Sequence, residues 1–146
     1  MKKIAVINGP NMNWLGDRDP SLYGSRTLAQ LEAKITDAVE KMGWRVICYQ
    51  SNSEGDLINF IQDISSDTAG FIINPAAYTH YSLALADCLA SLKQPIIEVH
   101  FSNLSSREES RQKMLTSREA DGVIMGLGER GYFLAIEALR TIFEEG

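Results

Sequence analysis

Arg18 and Tyr23 are the first residues in the chain whose types and spacing suggest acid–base chemistry. A phenol has a reference pKa of about 10. To act as a base near neutral pH, its pKa must fall by about two to three pH units, which corresponds to roughly 3–4 kcal/mol. One guanidinium about 4 Å away contributes on the order of 4 kcal/mol at an effective dielectric constant near 20. A neighbouring arginine is therefore just sufficient to lower the phenol pKa by this amount. The alternatives are that Tyr23 is an aromatic ring packed at the edge of a sheet and that Arg18 is a solvated charge.

Glu98 and His100 form a second pair, two residues apart in an apolar run. In an extended strand both side chains point to the same face. A carboxylate beside an imidazole raises the imidazole pKa and selects its tautomer, which suits a general acid. The alternative is a histidine hydrogen-bonded at the end of a strand. His80 is the only other histidine, and the sequence has no ligand cluster at metal spacing, so we expect no metal.

Arg107 and Arg111 are the third candidate pair. We predict a short polar helix from Arg107 to Met114, on which the i, i+4 spacing puts both guanidinium groups on one face. Two such groups could bind a carboxylate or hydroxyl groups. Salt bridges with Glu108 or other nearby acids are the alternative.

Arg18 and Tyr23 lie in a long segment, Asn8 to Thr27, which joins an apolar run to a helical pattern. Ordinary connections of this kind take about 2–6 residues, and longer ordered loops are usually lids or binding loops. Gly16 and Gly24 bracket the pair and supply backbone freedom for closure. We interpret the segment as a lid without internal secondary structure. An idle surface loop is the alternative.

The rest of the chain alternates between short apolar strands and amphipathic helices. A capping box formed by Thr27 and Gln30 starts the first helix, and Gly43 ends it. The predicted strands are Ile4–Ile7, Trp44–Gln50, Phe71–Ile73, Pro95–Val99 and Gly122–Met125. The predicted helices begin at Thr27, Glu54, Ser82, Arg107 and Arg130.

This alternation predicts an α/β fold, a flavodoxin-like three-layer sandwich with a five-stranded parallel sheet whose strand order stays open. Open parallel sheets bind ligands beyond the carboxyl ends of their strands. Polar amide, hydroxyl or imidazole groups follow almost every predicted strand, namely Asn8, Asn11, Asn52, Asn74, His100, Ser102 and Asn103. We therefore expect the site at that edge.

Composition narrows the class of protein. With 146 residues, 45% hydrophobic and 23% charged, the chain fits one soluble domain spanning residues 1–146. A net charge of −5 without a basic run predicts no nucleic-acid partner. Asn8-Gly9-Pro10 makes the first apolar run too short for a signal peptide, and no run could span a membrane. Cys48 and Cys88 are predicted to be buried thiols in the cytoplasm.

Other enzyme and binding classes lack their signatures. There is no G-x-G-x-x-G or P-loop to cradle a phosphate, and no lysine at a strand end to form an imine. The competing hypotheses are a non-catalytic module that binds nucleotide or flavin, and a catalytically silent oligomeric scaffold.

Four blocks carry a family resemblance: N-G-P-N-M-N-W-L-G-D-R-D-P-S-L-Y-G, S-N-S-E-G-D-L-I, N-P-A-A-Y-T-H-Y-S-L-A-L-A-D and E-V-H-F-S-N-L-S-S-R-E-E-S-R. With the terminal G-V-I-M-G-L-G-E-R-G-Y-F-L-A, they resemble type II 3-dehydroquinate dehydratases over essentially the whole chain. The resemblance implies a flavodoxin-like hydro-lyase that converts 3-dehydroquinate to 3-dehydroshikimate by trans elimination of water through an enolate, without cofactor, metal or Schiff base.

The resemblance also implies roles for individual residues. Tyr23 resembles the base and Arg18 the residue that lowers its pKa, while Asn11 resembles the residue that holds a water against the enolate oxygen. His100 resembles the acid that protonates the leaving hydroxyl, and Glu98 its partner. The remaining positions resemble substrate-binding residues: Asn74, Phe101 and Ser102 for the carboxylate, and His80 and Arg111 for ring hydroxyls.

Asp87 matches an aspartate that reaches the site of a neighbouring subunit, so the resemblance implies a homo-oligomer, with trimers that assemble into a dodecamer. Four positions differ from the residue that is usual in the resembled family. This chain has Ser53 in place of His, Ala76 in place of Gly, Ala86 in place of Arg and Ser110 in place of an aromatic residue. Both the shikimate pathway and the breakdown of quinate fit this chemistry.

Overall fold

A five-stranded, fully parallel sheet organises the protein, for which a computed structural model describes residues 1–146. The strands are β1 (Lys3–Asn8), β2 (Arg45–Gln50), β3 (Gly70–Asn74), β4 (Ile96–His100) and β5 (Gly122–Met125). Their order in the sheet is β2-β1-β3-β4-β5. This order confirms the predicted flavodoxin-like architecture.

Helices cover both faces of the sheet. Successive residues of the central strands point to opposite faces, and both sets are apolar and buried. The helices are α1 (Pro20–Tyr23), α2 (Leu28–Lys41), α3 (Glu54–Ile64), α4 (Leu83–Ala90) and α5 (Arg130–Glu145). Helices α2 and α5 pack on the face that includes Val6 and Ile72. Helices α3 and α4 pack on the face that includes Ile7 and Ile73.

The direction of the chain through the sheet reverses at β1. From β1 the chain moves outward to β2 and then returns to place β3 on the other side of β1. The last residues of the two central strands, Asn8 and Asn74, are paired in register at this point. Such a reversal opens a crevice at the carboxyl ends of the strands, which is where ligands bind in this class of fold.

Side-chain caps fix where helices α1 to α4 begin. The predicted capping box of α2 is present, with the Gln30 N–H donating to Thr27 Oγ1 and the Thr27 N–H donating to Gln30 Oε1. Ser53, one of the departures from the family, caps α3 by accepting from the Asp56 N–H. A serine at this position is therefore a favourable start for the helix.

The predicted helix from Arg107 to Met114 is wrong. Two short 3₁₀ turns, Leu104–Ser106 and Glu109–Arg111, lie in this part of the chain. The Asn103 side chain accepts from the Ser105 N–H, and Gln112 Nε2 donates to the Leu104 and Arg107 carbonyls. These side chains compete with the helical ladder for backbone groups, which explains the irregular path.

Two smaller expectations also need correction. The lid contains a helical turn, α1, which starts at Pro20 after an Asp19 cap; proline at the first helical position and aspartate before it favour such a start. Cys48 is only partly buried, whereas Cys88 is buried, and both thiols are free. No helix is both long enough and apolar enough to cross a bilayer.

Candidate active site

A cavity of about 510 Å³, open to solvent, lies beyond the carboxyl ends of β1, β3 and β4. Arg107 of the third candidate pair lines it. So do nine of the eleven residues to which the resemblance assigns roles: Asn11, Arg18, Tyr23, Asn74, His80, His100, Phe101, Ser102 and Arg111. Of the other two, Glu98 contacts His100 from below, whereas Asp87 is exposed on α4 and does not reach the cavity of its own chain.

The lid brings Arg18 and Tyr23 together. The guanidinium carbon of Arg18 lies 3.8 Å from the centroid of the Tyr23 ring. Tyr23 is the last residue of α1, so the Asp19 cap, which accepts from the Ser21 N–H, fixes the turn that carries the phenol. The ring also lies 6.3 Å from that of Phe101, at the end of β4. The contact between Arg18 and Tyr23 is therefore that of a cation over an aromatic face.

Asn11 lies in the left-handed region of backbone space, with φ of 69°. This conformation is uncommon for residues other than glycine, although asparagine tolerates it best. The Asn11 N–H donates to Asn52 Oδ1, and the same oxygen accepts from Gln50 Nε2. Tyr78 in turn donates its hydroxyl to the Asn52 carbonyl at 2.5 Å. The end of β2 therefore holds the loop that carries Asn11.

At the end of β4, Glu98 and His100 point the same way, as their spacing predicts. Nε2 of His100 lies 2.7 Å from Oε2 of Glu98. The Glu98 carboxylate is completely buried and accepts three further hydrogen bonds, from the hydroxyls of Thr79 (3.0 Å), Thr116 (2.6 Å) and Ser117 (2.6 Å). A buried charge is tolerated only with such compensation.

These contacts decide the charge state of Glu98. Burial by itself would raise the pKa of the Glu98 carboxyl, but hydrogen bonds and charge from His100, together with Ser117 and Thr116, lower it below its ordinary value. Burial lowers the pKa of the neighbouring His80, whose Nδ1 lies 2.8 Å from the Lys113 carbonyl. The site therefore pairs an ionised carboxylate with His100 and favours a neutral His80.

Asn74, at the end of β3, is held from three sides although it lines the cavity. Its Oδ1 accepts from the Ala76 N–H at 3.0 Å. Its Nδ2 lies 3.1 Å from the Tyr132 hydroxyl and 3.7 Å from the Met12 sulfur. Ala76 has φ of 52°, a left-handed value that favours glycine. The backbone of Ala76, which replaces the glycine usual in the family, is therefore strained.

The charge of the cavity differs from that of the whole chain. Three arginines, Arg18, Arg107 and Arg111, line it, and no aspartate or glutamate does. Arg107 donates to Ser102 Oγ at 2.9 Å. The salt bridges with Glu108 that the sequence left open are also present, at 3.4 Å from Arg107 and 3.0 Å from Arg111, outside the cavity. Since the protein carries a net charge of −5, this local concentration of arginine indicates an anionic ligand.

Sequence reasoning missed several residues that support the site. Thr79, Thr116 and Ser117 surround Glu98, and Tyr132 contacts Asn74. Thr79 adjoins His80, so its position beside a predicted site residue was a weak signal. The 3₁₀ turn Thr116–Glu119 and helix α5 are not next to any predicted site residue in the sequence. Only tertiary folding brings them to the strand ends.

The lining residues offer acid–base groups rather than a metal cage. No three His, Cys, Asp or Glu side chains lie close enough together to hold a metal ion. Tyr23 and His100 face one cavity, so a ligand bound there could lose a proton to one and gain a proton from the other. The backbone at Phe101 and Ser102 and the Asn74 amide surround the same space.

Fold and site together define a flavodoxin-like α/β protein with a lidded, arginine-lined cavity at its topological switch point. Residues 2–140 match the family model described as dehydroquinase class II. The chain therefore belongs to the class II dehydroquinase family, which confirms the resemblance seen in the sequence.

Individual relatives agree with this assignment. The chain is 46% identical to a 3-dehydroquinate dehydratase of Halalkalibacterium halodurans over 95% of this chain and 96% of the relative. It is 52% identical to one of Roseiflexus castenholzii over 94% and 87%. The crystal structure of type II dehydroquinase from Propionibacterium acnes superposes with a TM-score of 0.93 and 41% identity, covering 97% of both chains.

Proposed function

We propose that the protein is a type II 3-dehydroquinate dehydratase, a hydro-lyase that acts through residues 1–146 as a single catalytic domain. The observation that carries the proposal is a cavity lined by three arginines and no carboxylate in an acidic chain, with Tyr23 and His100 on its wall. The carboxylate of 3-dehydroquinate supplies the anionic group that such a cavity favours. The names of the relatives support the same substrate.

In the proposed reaction, Tyr23 as phenolate removes the proton alpha to the substrate ketone. The electron pair of that C–H bond forms the enolate, whose oxygen is stabilised by a water held by Asn11. Reformation of the ketone then makes the carbon–carbon double bond and breaks the C–O bond of the leaving hydroxyl. His100 donates a proton to this hydroxyl, which departs as water.

The surrounding residues support these roles by position. The Arg18 guanidinium, whose carbon lies 3.8 Å from the Tyr23 ring centroid, is the proposed partner of the base. Ionised Glu98 orients His100 through the 2.7 Å contact with Nε2. Asn74, Phe101 and Ser102 would bind the carboxylate, and His80 and Arg111 the ring hydroxyls. We propose that Asp87 reaches the cavity of a neighbouring subunit in a homo-oligomer.

Replacement of Tyr23 by Phe tests the proposal. Formation of the conjugated enone from 3-dehydroquinate is followed by ultraviolet absorbance, and we expect Tyr23→Phe to reduce turnover at least about 10²-fold, the lower range for loss of a general base. Tyr49→Phe is the matched control, because Tyr49 stacks on Phe60 away from the cavity. Full activity in Tyr23→Phe would exclude the mechanism.

Two further measurements separate the alternatives. Activity that survives borohydride treatment with substrate supports a route without an imine, whereas inactivation contradicts it. Absence of any enone from the wild type would remove the enzyme hypothesis, and a yellow protein or a thermal shift with FMN would instead favour the flavin module. Biosynthetic and quinate-degrading pathways both fit the proposed reaction, and the cytoplasmic location stays a prediction.

A further inference from the structure

Tyr132 connects helix α5 to the ends of both central strands. Its ring is completely buried, and its hydroxyl lies 2.5 Å from Asn8 Oδ1 and 3.1 Å from Asn74 Nδ2. Asn8 and Asn74 end β1 and β3 and are paired across the switch point. Asn74 lines the cavity, but Tyr132 and Asn8 do not. The phenol therefore lies directly behind a residue that faces the ligand.

The direction of each hydrogen bond follows from the groups available. A phenol carries a single hydrogen. The 2.5 Å contact is at the short end of the range for O–H···O bonds and shorter than N–H···O bonds, so Tyr132 donates to Asn8 Oδ1. Its oxygen is then free to accept from Asn74 Nδ2. Burial raises the pKa of Tyr132, which keeps the phenol neutral and its hydrogen in place.

These bonds leave only one orientation for the Asn74 amide. Its oxygen accepts from the Ala76 N–H, and one hydrogen of Nδ2 is used by Tyr132. The second hydrogen of Nδ2 has only the Met12 sulfur nearby, a weak acceptor at 3.7 Å, and Met12 itself lines the cavity. The amide therefore offers a donor to a ligand, whereas a flipped amide would offer an acceptor, which repels an anion.

We propose that Tyr132 is a positioning residue, whose hydroxyl holds the Asn74 amide with its N–H toward the substrate carboxylate. This inference rests on the proposed function, because it assigns the carboxylate of 3-dehydroquinate to Asn74. It adds a requirement that the cavity lining alone does not reveal: recognition of the anion depends on a phenol 58 residues away on α5.

Tyr132→Phe removes the hydroxyl and keeps the ring. We expect KM for 3-dehydroquinate to rise about tenfold, which corresponds to one hydrogen bond to a charged group, while kcat changes less than about threefold. Binding is measured separately by calorimetry with quinate and with its neutral methyl ester. The loss should be about tenfold for quinate and no more than about twofold for the ester.

Asn8→Leu provides a second variant that does not alter the cavity lining. Without Asn8 Oδ1, the Tyr132 hydroxyl hydrogen loses its acceptor and can turn toward Asn74 Nδ2, so the phenol oxygen no longer accepts from that amide and no longer holds it. We expect the same selective loss of quinate binding. If Tyr132→Phe does not fold, Asn8→Leu carries the test alone.

Ile136→Val, in the same helix and buried in the same core, is the control for a purely structural effect. It should lower the melting temperature without changing the ratio of quinate to ester affinity. A Tyr132→Phe protein that binds both ligands as the wild type does would overturn the inference, and so would equal losses for both. Since calorimetry does not depend on turnover, a wild type that binds quinate without dehydrating 3-dehydroquinate would refute the proposed function and leave this inference measurable.

Discussion

At the scale of single residues, the site depends on one carboxylate that is buried and nevertheless satisfied. Glu98 has no exposed surface, yet four donors surround its two oxygens. Each donor stabilises the ionised carboxylate, and together they explain why its pKa is lowered despite burial. The same charge orients His100, so the hydroxyl cluster acts on the proposed catalytic acid through Glu98.

This arrangement predicts how stability depends on pH. Because the folded pKa of Glu98 is below its ordinary value of about 4.3, the stabilisation is fully present above that value and is lost as pH falls through the folded pKa. Glu98→Gln should lower the free energy of unfolding by about 1–3 kcal/mol at pH 7. The difference from the wild type should shrink between about pH 5 and pH 3, as urea unfolding at several pH values will show. A difference independent of pH would contradict the ionised state.

Ala76 offers a second prediction, from backbone strain. A left-handed alanine is less stable than a left-handed glycine by about 1–2 kcal/mol, of which the greater freedom of glycine in the unfolded chain offsets about 0.4–1 kcal/mol. With φ of 52° at this position, Ala76→Gly should raise the free energy of unfolding by about 0.5–1 kcal/mol. Chemical denaturation measures the change, and Ala90→Gly at the end of α4 should have the opposite sign. Destabilisation by Ala76→Gly would show that the strain is absent.

Side-chain type predicted the residues that face the ligand better than those behind them. Arg18, Tyr23 and His100 carry chemistry that is recognisable without a structure, and the strand-end rule placed Asn74 with them. Tyr132 was not predictable, because it lies 124 residues from Asn8 in a helix whose pattern indicates only a core position. Its role depends on which hydroxyl meets which amide, and periodicity does not encode that contact.

At the scale of elements, the lid is fastened at its C-terminal end to helix α5. The Arg26 guanidinium lies 2.9 Å from the Glu129 carboxylate, and the Lys34 ammonium of α2 lies 3.3 Å from it. Partial burial would raise the pKa of Glu129, but Arg26 and Lys34 lower it. One carboxylate therefore ties together the lid, α2 and the start of α5.

Loss of that carboxylate should loosen the lid. We expect Glu129→Gln to increase the rate of trypsin cleavage after Arg18 and Arg26 by about 2- to 5-fold, which corresponds to an exposed ion pair worth up to about 1 kcal/mol. Cleavage sites are identified by mass spectrometry. Glu144→Gln is the matched control, since Glu144 pairs with Arg140 at the far end of α5. Equal cleavage rates in both variants would exclude Glu129 as the fastening.

Element boundaries were predictable from a cap together with periodicity in α2, and from periodicity alone in α5. The segment from 104 to 111 was not, because side chains such as Asn103 and Gln112 take over backbone groups that a helix would use. The helical turn α1 had a usable signal in Asp19-Pro20, which the length of the lid obscured.

At the scale of the whole molecule, the charge distribution separates the cavity from the remaining surface. Three arginines line a cavity in a chain of net charge −5, whereas Asp87 is exposed on α4, outside it. The predicted fold located the cavity correctly, because parallel strands bring all their carboxyl ends to one edge. The contribution of Asp87 needs a second subunit, and this remains a prediction.

Subunit mixing tests that prediction. We expect light scattering to give about twelve times the 16.2 kDa chain mass. If Asp87 serves a neighbouring cavity, Asp87→Ala and Tyr23→Phe should each be nearly inactive alone. A mixed oligomer then contains cavities that combine an intact Tyr23 with an intact Asp87 from the neighbour. Unfolded and refolded together in equal amounts, the two variants should regain roughly a quarter of wild-type activity, because random assembly pairs the intact residues at about that frequency.

Two controls define the outcome of the mixing experiment. Tyr23→Phe refolded with His100→Ala should regain nothing, because both changes fall in the cavity of one chain and no neighbour supplies either residue. Asp63→Ala, an exposed acid on α3, should leave activity unchanged. A monomer in solution, or an Asp87→Ala protein as active as Asp63→Ala, would show that each chain completes its cavity alone; the three arginines would then recognise the anion without help from α4 of a neighbour.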